Sequence, residues 1–436
     1  MEQYINTITS RLRGYSWEIY QVKTEFLKSS SNQLKIEQVI KSSESGFSIT
    51  VKKNGRWGFG FASAVDRENI EKALEKALQM VEVSDEDQYI TFQKPLPDNR
   101  EKIELFDSYT SNKLEEKLKI HIPVEVEEKI RSLDDRIKTV RECSFSEKIT
   151  TTFIINSEGL KVEEKTSLYT LTAGVVAEEK NDSQIFWNFH QSRFLSDLNI
   201  QRFAKETVSG AVSLLGATPR ETTRIPVLFT PYAFSLMLEA FFPAFSGEFL
   251  INGKSFFEQK EGLSVASENV TILDNGRLPG GAGSRNFDDE GVPTGKKAVI
   301  EKGVFRGFLH NLYTANASGQ TSTGNGFRNN FYTRPAVQPT NFYLVPSGNL
   351  QLPDRYFTVI EMLGLHTASP VTGDFSVGVS GFIKENGTSY PVSGMTLAGN
   401  FFQLLNDIKG IGNDLQFFGR FGSPSVLVSE MVLGGL

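Results

Sequence analysis

The sequence is poor in cysteine and histidine. Cys143 is the single cysteine of the 436-residue chain, which excludes an intrachain disulfide framework and any zinc site built from several cysteines. One thiol fits a reducing compartment, and its alternating surroundings predict a small, buried apolar residue. His121, His190, His310 and His366 are isolated from one another, so we expect surface or packed histidines and not metal ligands.

Several other signals are absent. No block of Lys or Arg stands out and the net charge is −6, which argues against a nucleic-acid partner. Met1–Tyr4 lacks a basic segment followed by an apolar one, so we expect no signal peptide and a cytoplasmic protein. Val227–Phe245 is apolar enough to resemble a membrane span. Glu239 near its centre, with Pro231 and Pro243, favours a buried or interfacial helix and no membrane partner.

The composition is that of a folded protein, since 39% of the residues are hydrophobic and 22% are charged. The length allows two or three domains. We predict an α+β fold. An N-terminal α+β domain of strands and helices covers residues 1–222, and a mainly antiparallel β-barrel or sandwich-like domain covers residues 223–436.

The N-terminal half repeats one pattern of elements. Asn54-Gly55 predicts a hairpin turn between two alternating strands, and residues 66–82 carry apolar side chains at helical spacing. Strands at about 137–192 and a helix at 198–216 follow in the same order. This order suggests an internal duplication.

Three further features are predicted in this half. Residues 2–13 and 113–133 are expected to be helical, and Pro123 must interrupt or kink the second of these helices. The polar, proline-containing stretch Gln93–Lys102 is expected to be a connection.

The second half begins with a helix signal. Ile225–Phe229 predicts a short buried strand, Thr230 is a good N-cap, and Pro231 suits the first helical position because its missing N–H costs nothing there. The predicted helix covers residues 231–246. Beyond it, short strands and glycine-rich turns are expected.

An acidic triplet, Asp288-Asp289-Glu290, precedes Gly291. The simpler interpretation, which we favour, is a solvated turn closed by glycine. The alternative is a cluster that caps a helix, pairs with Arg285 or binds a substrate amine.

Motifs through the second half resemble the family of TldD and PmbA (TldE) proteins, known by name as modulators of DNA gyrase. The N-terminal half matches more loosely. The motifs are Phe229-Thr230-Pro231, Leu238-Glu239-Ala240-Phe241-Phe242-Pro243, Gly253-Lys254-Ser255-Phe256, Leu278-Pro279-Gly280-Gly281, Ser284-Arg285-Asn286-Phe287-Asp288-Asp289-Glu290-Gly291, Ser322-Thr323-Gly324-Asn325, Asn341-Phe342-Tyr343-Leu344, Val371-Thr372-Gly373-Asp374, Ala398-Gly399-Asn400 and Gly412-Asn413-Asp414. Candidate cleft or peptide-binding residues within them are Arg285, Asp288, Asp289, Glu290, Asn325, Asp374, Asn400, Asn413 and Asp414.

The resemblance also identifies what this chain has lost. TldD-type subunits carry H-E-x-x-x-H on the helix, whose histidines bind zinc while the glutamate acts as general base, and a late cysteine completes the ligand set. In this sequence Leu238 and Pro243 occupy the histidine positions, Glu239 occupies the base position, and the C-terminal region has no cysteine. The resemblance therefore implies no zinc in this chain and zinc in a TldD-like partner.

The spacing of this motif bears on the helix itself. Positions i and i+5 lie about 140° apart on a straight α-helix, so a metal-binding pair at that spacing requires a break near the second position. Pro243 has no N–H, and its ring clashes with the carbonyl of Glu239. We therefore predict that the helix is not straight through residue 246. Its apolar face, Phe234, Phe241, Phe242 and Phe245, is expected in the core more than at an interface.

By resemblance the chain is a PmbA/TldE-like subunit, non-catalytic itself, of a cytoplasmic zinc metalloprotease that acts on unfolded peptides. It would pair with a TldD-like subunit and shape the cleft and the dimer interface, and a homodimer is expected in isolation. Two alternatives stay open. One is a self-sufficient peptidase that uses His310 or His366 with Asp288 or Asp289. The other is a peptide-binding or gyrase-modulating interaction protein.

Overall fold

The structure, a computed structural model, describes residues 2–96 and 100–435. Pro97, part of the predicted connection Gln93–Lys102, lies outside the described residues. The chain is a mixed α+β protein with an N-terminal half-barrel sheet and a closed five-stranded barrel in the C-terminal region. The predicted fold class is therefore confirmed.

The strands of the N-terminal half form one antiparallel sheet in the order β3-β2-β1-β4-β5-β6. Two similar units, each of three strands and then a helix, meet where β1 pairs with β4, as the repeated pattern of elements predicted. The helices are α1 (Glu2–Arg11), α2 (Arg67–Val83), α3 (Ser108–Lys113), α4 (Glu116–Leu133) and α5 (Ile200–Ser213), and the strands are β1 (Ser16–Asn32), β2 (Lys35–Lys53), β3 (Arg56–Ala62), β4 (Ile137–Asn156), β5 (Lys161–Glu179) and β6 (Asp182–Ser192).

Local chemistry explains the hairpin and the helix of the first unit. Asn54 and Gly55 adopt φ of 53° and 81°, the left-handed values that a tight hairpin turn requires. Asp66 caps α2 by accepting a hydrogen bond from the Asn69 N–H at 2.9 Å. The buried face of α2, which includes Leu74 and Ala77, then packs on β2 and β3.

The predicted helix at 113–133 is confirmed as α4, which begins at Glu116 and is preceded by the short helix α3. The predicted interruption at Pro123 is wrong, because α4 continues through this residue. Val126 and Ile130 are buried in the core that α4 shares with β4. Burial of this face outweighs the local cost of the proline.

The C-terminal region forms the barrel and a second sheet. Strands β7, β14, β15, β16 and β20 close the barrel because β16 also pairs with β20, and the second sheet has the order β10-β9-β8-β13-β19-β18. The elements are β7 (Thr223–Phe229), α6 (Pro231–Phe241), α7 (Gly247–Ile251), β8 (Ile272–Asn275), β9 (Lys296–Glu301), β10 (Val304–Phe305), α8 (Leu312–Ser318), β11 (Gly326–Phe327), β12 (Ala336–Val337), β13 (Phe342–Leu344), β14 (Arg355–Leu363), β15 (Asp374–Glu385), β16 (Thr388–Asn400), α9 (Phe401–Asn406), β17 (Ile408–Ile411), β18 (Gln416–Phe418), β19 (Phe421–Ser423) and β20 (Val426–Gly434).

Helix α6 begins where its sequence predicts, but its α-helical part ends at Phe241 and not at residue 246. Thr230 accepts a hydrogen bond from the Ala233 N–H at 3.3 Å, and Pro231 is the first helical residue. The α-helix ends at Phe241 and a 3-10 turn follows over Phe242–Phe245, so the predicted break near Pro243 is confirmed. Over residues 2–96 and 100–435, no helix is long and apolar enough to cross a bilayer.

Candidate functional site

Helix α6 carries the first ligand position and the base position of the TldD-type motif, Leu238 and Glu239. Leu238 is fully buried in the barrel core beside Met237 and Phe241. Glu239, one residue later, is exposed, and no hydrogen bond or ion pair reaches its carboxylate from the described part of the chain. Partial desolvation raises the pKa of Glu239. The phenylalanine face of the helix lies in the core, as predicted.

The phenol of Tyr232, on the same helix, lies close enough to two carboxylates, Glu361 and Glu239, for their charges to act on it. Burial raises the pKa of Tyr232, and the charges of Glu361 and Glu239 raise it further. Burial also raises the pKa of Glu361. Beside this face lies a largely apolar pocket of about 530 Å³, lined in part by Tyr232, Trp187, Phe189, Ile360 and Phe418.

These residues do not fit the zinc ion that the TldD-type motif implies. Leu238 is enclosed in the core, Pro243 has no donor atom, and a lone exposed glutamate is an incomplete ligand set. Across the residues that the structure describes, no three His, Cys, Asp or Glu side chains lie together in a way that could hold a metal ion.

The four histidines and the cysteine lie apart. His310 is buried, contacts the Thr314 hydroxyl at 3.1 Å, and has a pKa lowered to about 4 by burial. His190 contacts Glu206 at 2.7 Å, while His121 and His366 are exposed. Cys143 is a buried free thiol, as expected, and burial raises its pKa to about 12.

The acidic triplet is buried, so the predicted solvated turn is wrong. Asp288 accepts hydrogen bonds from the backbone N–H groups of Glu290, Val292 and Gly326 at 2.8–3.0 Å. Burial nevertheless raises its pKa to about 7. Glu290 accepts the N–H of Leu312, the first residue of α8, at 2.7 Å. The carboxylates of Asp288 and Glu290 therefore hold backbone N–H groups in place. The bond from Glu290 to the start of α8 agrees with the alternative interpretation, in which the cluster caps a helix.

Asp289 joins a buried ion network, again as that alternative foresaw. Its carboxylate accepts from the Arg285 guanidinium at 3.2 Å and from the Arg328 backbone N–H at 2.9 Å. Arg285 also forms a short pair with Glu164 of β5, and Arg328 pairs with Glu18 of β1 at 2.9 Å. The network thus ties the N-terminal sheet to the loops of the C-terminal region.

The other candidate residues belong to separate local networks. Asn325 is buried and bridges Lys297 at 2.7 Å and Asp274 at 2.9 Å. Asn400 donates to Asp374 at 2.9 Å and caps α9. The structure does not bring these residues together with the acidic triplet through any hydrogen bond among the described residues.

The last two candidates lie in the loop before β18. Asp414 accepts from the Ser425 hydroxyl at 2.6 Å, and Asn413 beside it is exposed. A peptide-binding role for any of the nine candidate residues stays a prediction.

Sequence reasoning missed Glu18, Glu164, Arg193, Arg328 and Arg420. Of these residues, only Glu18 has a local sequence feature that indicates its role. It interrupts an apolar run that is buried on both faces of β1. Arg193 donates to four backbone carbonyls at 2.6–3.3 Å. The partners of these residues are distant in sequence, so no local pattern indicates them.

Three family profiles match the chain in order. They are the PmbA/TldA metallopeptidase domain 1 at residues 17–81, the central domain at residues 108–215 and the C-terminal domain at residues 222–435. The chain belongs to the PmbA/TldD family of metallopeptidases. The first two profiles fall on the two similar units of the N-terminal sheet, and the third contains the barrel and α6.

Relatives and solved structures agree with this family. The metalloprotease PmbA of Escherichia coli O157:H7 is 26% identical over 443 residues, covering 100% of this chain and 96% of the relative. A crystal structure of a candidate modulator of a DNA gyrase from Thermotoga maritima MSB8 is 28% identical with a TM-score of 0.91, covering 99% of this chain and 100% of that one. TldE from Thermococcus kodakarensis shares the fold, with a TM-score of 0.90 at 22% identity and 100% coverage of both chains.

Proposed function

We propose that this chain is the non-catalytic, PmbA/TldE-like subunit of a two-component zinc peptidase, in which a TldD-like subunit supplies the metal site. The observation that carries the proposal is the state of the motif helix. The first ligand position is Leu238, enclosed in the core, and the second is Pro243. A site that has lost one ligand could still bind metal through the ligands that are left. Here the first ligand position is a leucine packed in the core, so the interior is filled without a metal.

The partner, the substrate and the compartment are parts of the same proposal. The pair acts on unfolded peptides in the cytoplasm, and this chain contributes one side of the cleft and of the subunit interface. Glu239 is exposed, no described residue pairs with it, and Tyr232 of the same helix lines an apolar pocket, which supports a leftover base position at the surface. A homodimer forms when the zinc subunit is absent.

The test is reconstitution with a TldD-like subunit that has an intact H-E-x-x-x-H motif. We expect zinc to co-purify with that subunit and an unfolded peptide to be cleaved by the pair but not by this chain alone. Stoichiometric zinc together with cleavage by the isolated chain would contradict the proposal in favour of a self-sufficient peptidase. Tight gyrase binding by the chain without the zinc subunit, and no effect on cleavage, would favour an interaction protein.

A matched pair of substitutions tests the role of the glutamate. Glu239→Gln in this chain is expected to leave cleavage by the pair within about twofold, because no metal-bound water forms beside it. The equivalent substitution in the zinc subunit is expected to abolish cleavage. Loss of activity from Glu239→Gln, with the pair still assembled on a sizing column, would show that the base position is used.

A further inference from the structure

A polar cavity lies between the N-terminal sheet and the loops of the C-terminal region. Its volume is about 460 Å³, which is in the range of sites that hold a drug-sized ligand or a short peptide segment. One wall is formed by β1, β2, β4 and β5, and the other by segments of the C-terminal region that include Arg285, Asp289, Phe327, Arg328 and Arg420. Neither the motif helix nor Glu239 lines this cavity.

The cavity holds more positive charge than its walls neutralise. Arg285 and Arg328 are paired with buried carboxylates. Arg193 and Arg420 have no carboxylate partner in the described part of the chain. Burial lowers the pKa of both, and repulsion from Arg285 lowers it further. Lys148 and Glu44 are exposed residues of the lining and carry opposite charges.

Arg420 has donors to offer a ligand. Its Nη1 donates to Gln338 Oε1 at 3.0 Å and approaches the Pro339 carbonyl at 3.4 Å. Its Nε and Nη2 have no acceptor among the residues described. Its guanidinium carbon lies 5.5 Å from the centre of the Phe327 ring, a cation–π distance that helps to hold the guanidinium in place.

Arg328 adds a second unmet donor. Its side chain is 2% exposed, its Nη groups are bonded to Thr333 and Glu18, and its buried Nε has no hydrogen-bond partner. A buried, unpaired guanidinium N–H costs free energy unless an acceptor arrives.

The opposite wall supplies hydroxyl groups. Thr24, Thr150 and Thr166 occupy directly paired positions on β1, β4 and β5, so they form a row across the sheet that lines the cavity. No hydrogen bond to another described residue engages these three hydroxyls. One wall thus offers hydroxyl groups and the other offers free guanidinium donors. Such a cavity suits a ligand with an oxyanion group better than an apolar side chain.

We propose that this cavity binds the carboxylate of a peptide, with the Arg420 fork as its direct ligand and the threonine row beside it. Asp289 and Glu44 in the lining limit the excess charge, which suits a monoanion better than a phosphate dianion. That the carboxylate belongs to a peptide rests on the proposed function. It can come from the C-terminus of the peptide or from an Asp or Glu side chain.

The experiment is calorimetric titration of the full-length chain with three unlabelled ten-residue peptides of Gly, Ser and Ala. One has a free C-terminus, one is C-terminally amidated with a single central Glu, and one is amidated with no acidic residue. We expect the first or the second to bind about tenfold or more tightly than the third, as a charge-assisted pair requires. Which of the two does so identifies the source of the carboxylate.

Arg420→Gln should reduce that preference to about twofold or less, and Arg420→Lys should keep part of it. Arg306→Gln is the matched control, because Arg306 is 46% exposed and Glu301 is its one ion-pair partner among the described residues; it should keep the full preference. The urea unfolding midpoint of each variant is measured as well. A midpoint equal to that of wild type shows that a lost preference comes from the missing guanidinium and not from unfolding.

Three outcomes would overturn the proposal. They are equal or undetectable binding of all three peptides, a preference that survives Arg420→Gln, and Arg420-dependent binding of inorganic phosphate without any carboxylate preference. Because the titration uses the isolated chain, its failure is separate from that of the proposed function. Cleavage by the pair with no carboxylate preference would reject the cavity proposal alone.

Discussion

Buried ionisable side chains hold the junction between the N-terminal sheet and the C-terminal loops in pairs. The Arg285–Glu164 and Arg328–Glu18 pairs join strands to loops, and Asp289 lies between the two arginines. Each charge was removed from water on folding, so its partner is required to offset the desolvation. Loss of one partner is therefore more costly here than at the surface.

Arg285→Met tests this at a single residue. The substitution leaves Glu164 and Asp289 buried without their shared cation, so we expect a loss of about 3–5 kcal/mol in the free energy of unfolding. Urea denaturation followed by fluorescence measures it. Arg306→Met, at an exposed ion pair, should cost less than about 1 kcal/mol. Equal effects of the two substitutions would contradict the buried network.

His310 predicts a pH dependence of stability. Burial lowers its folded pKa to about 4, whereas an unfolded histidine titrates near 6.5. Between these values the unfolded chain binds the proton and the folded chain does not. Stability is therefore fully present above about pH 6.5 and is lost as the pH falls through 4, by about 3 kcal/mol in total.

The measurement is the urea midpoint of wild type and His310→Gln from pH 7 to 4. The variant should lose less stability than wild type on acidification over this range. His366→Gln, at an exposed histidine, should retain the wild-type slope. A wild-type slope in His310→Gln would show that other groups dominate.

At the scale of elements, close backbone approach sets how α2 lies on the sheet. A Cβ on Gly58 would lie 1.8 Å from the Ala77 carbonyl oxygen, and one on Gly60 would lie 1.8 Å from that of Ala73. The helix therefore rests directly on the strand backbone. By contrast, α6 is fixed by side-chain packing, since Phe241 stacks on Phe401 with centroids 4.4 Å apart.

Gly60→Ala tests this approach. The added methyl forces α2 away from β3, and we expect a loss of about 2–3 kcal/mol in the free energy of unfolding. Gly378→Ala in β15 is the control, because the nearest atom to its new Cβ is 3.8 Å away; it should change stability by less than about 0.5 kcal/mol. If Gly60→Ala left the free energy of unfolding unchanged, α2 would not be packed closely against the backbone of β3.

At the scale of the whole molecule, Arg193 connects the two halves. It follows β6 and is 6% exposed. Its guanidinium donates to the carbonyls of Ser167 in β5 and of Gly281, Ala282 and Ser284 in the C-terminal region. A single side chain thus satisfies backbone acceptors on both sides of the junction.

Arg193→Met removes these donors and leaves buried carbonyls unpaired, so we expect a loss of about 3 kcal/mol or more. Protease cleavage within residues 281–284 should become about tenfold faster under native conditions. Arg202→Met, at an arginine 56% exposed on α5, is the control. Cleavage and stability equal to those of the control would show that the two halves are held by other contacts.

Features that depend on near neighbours in the chain were predicted correctly from local chemistry. Backbone sterics and capping act within a few residues. Local sequence was therefore enough to predict the hairpin turn at Asn54-Gly55, the helix cap at Asp66 and the helix start at Thr230-Pro231. That Leu238 and Pro243 stand where the TldD-type motif has histidine is likewise evident from residue identity alone.

The tertiary structure alone decided which charges are buried and what they contact. Asp288-Asp289-Glu290 looked like a solvated turn because several of its partners are remote. Gly326 is 38 residues from Asp288, Arg328 is 39 from Asp289, and Leu312 is 22 from Glu290. The course of α4 through Pro123 and the cavity beside Arg420 likewise depend on packing between distant segments. Desolvation and long-range pairing are properties of the assembled molecule, and no local pattern encodes them.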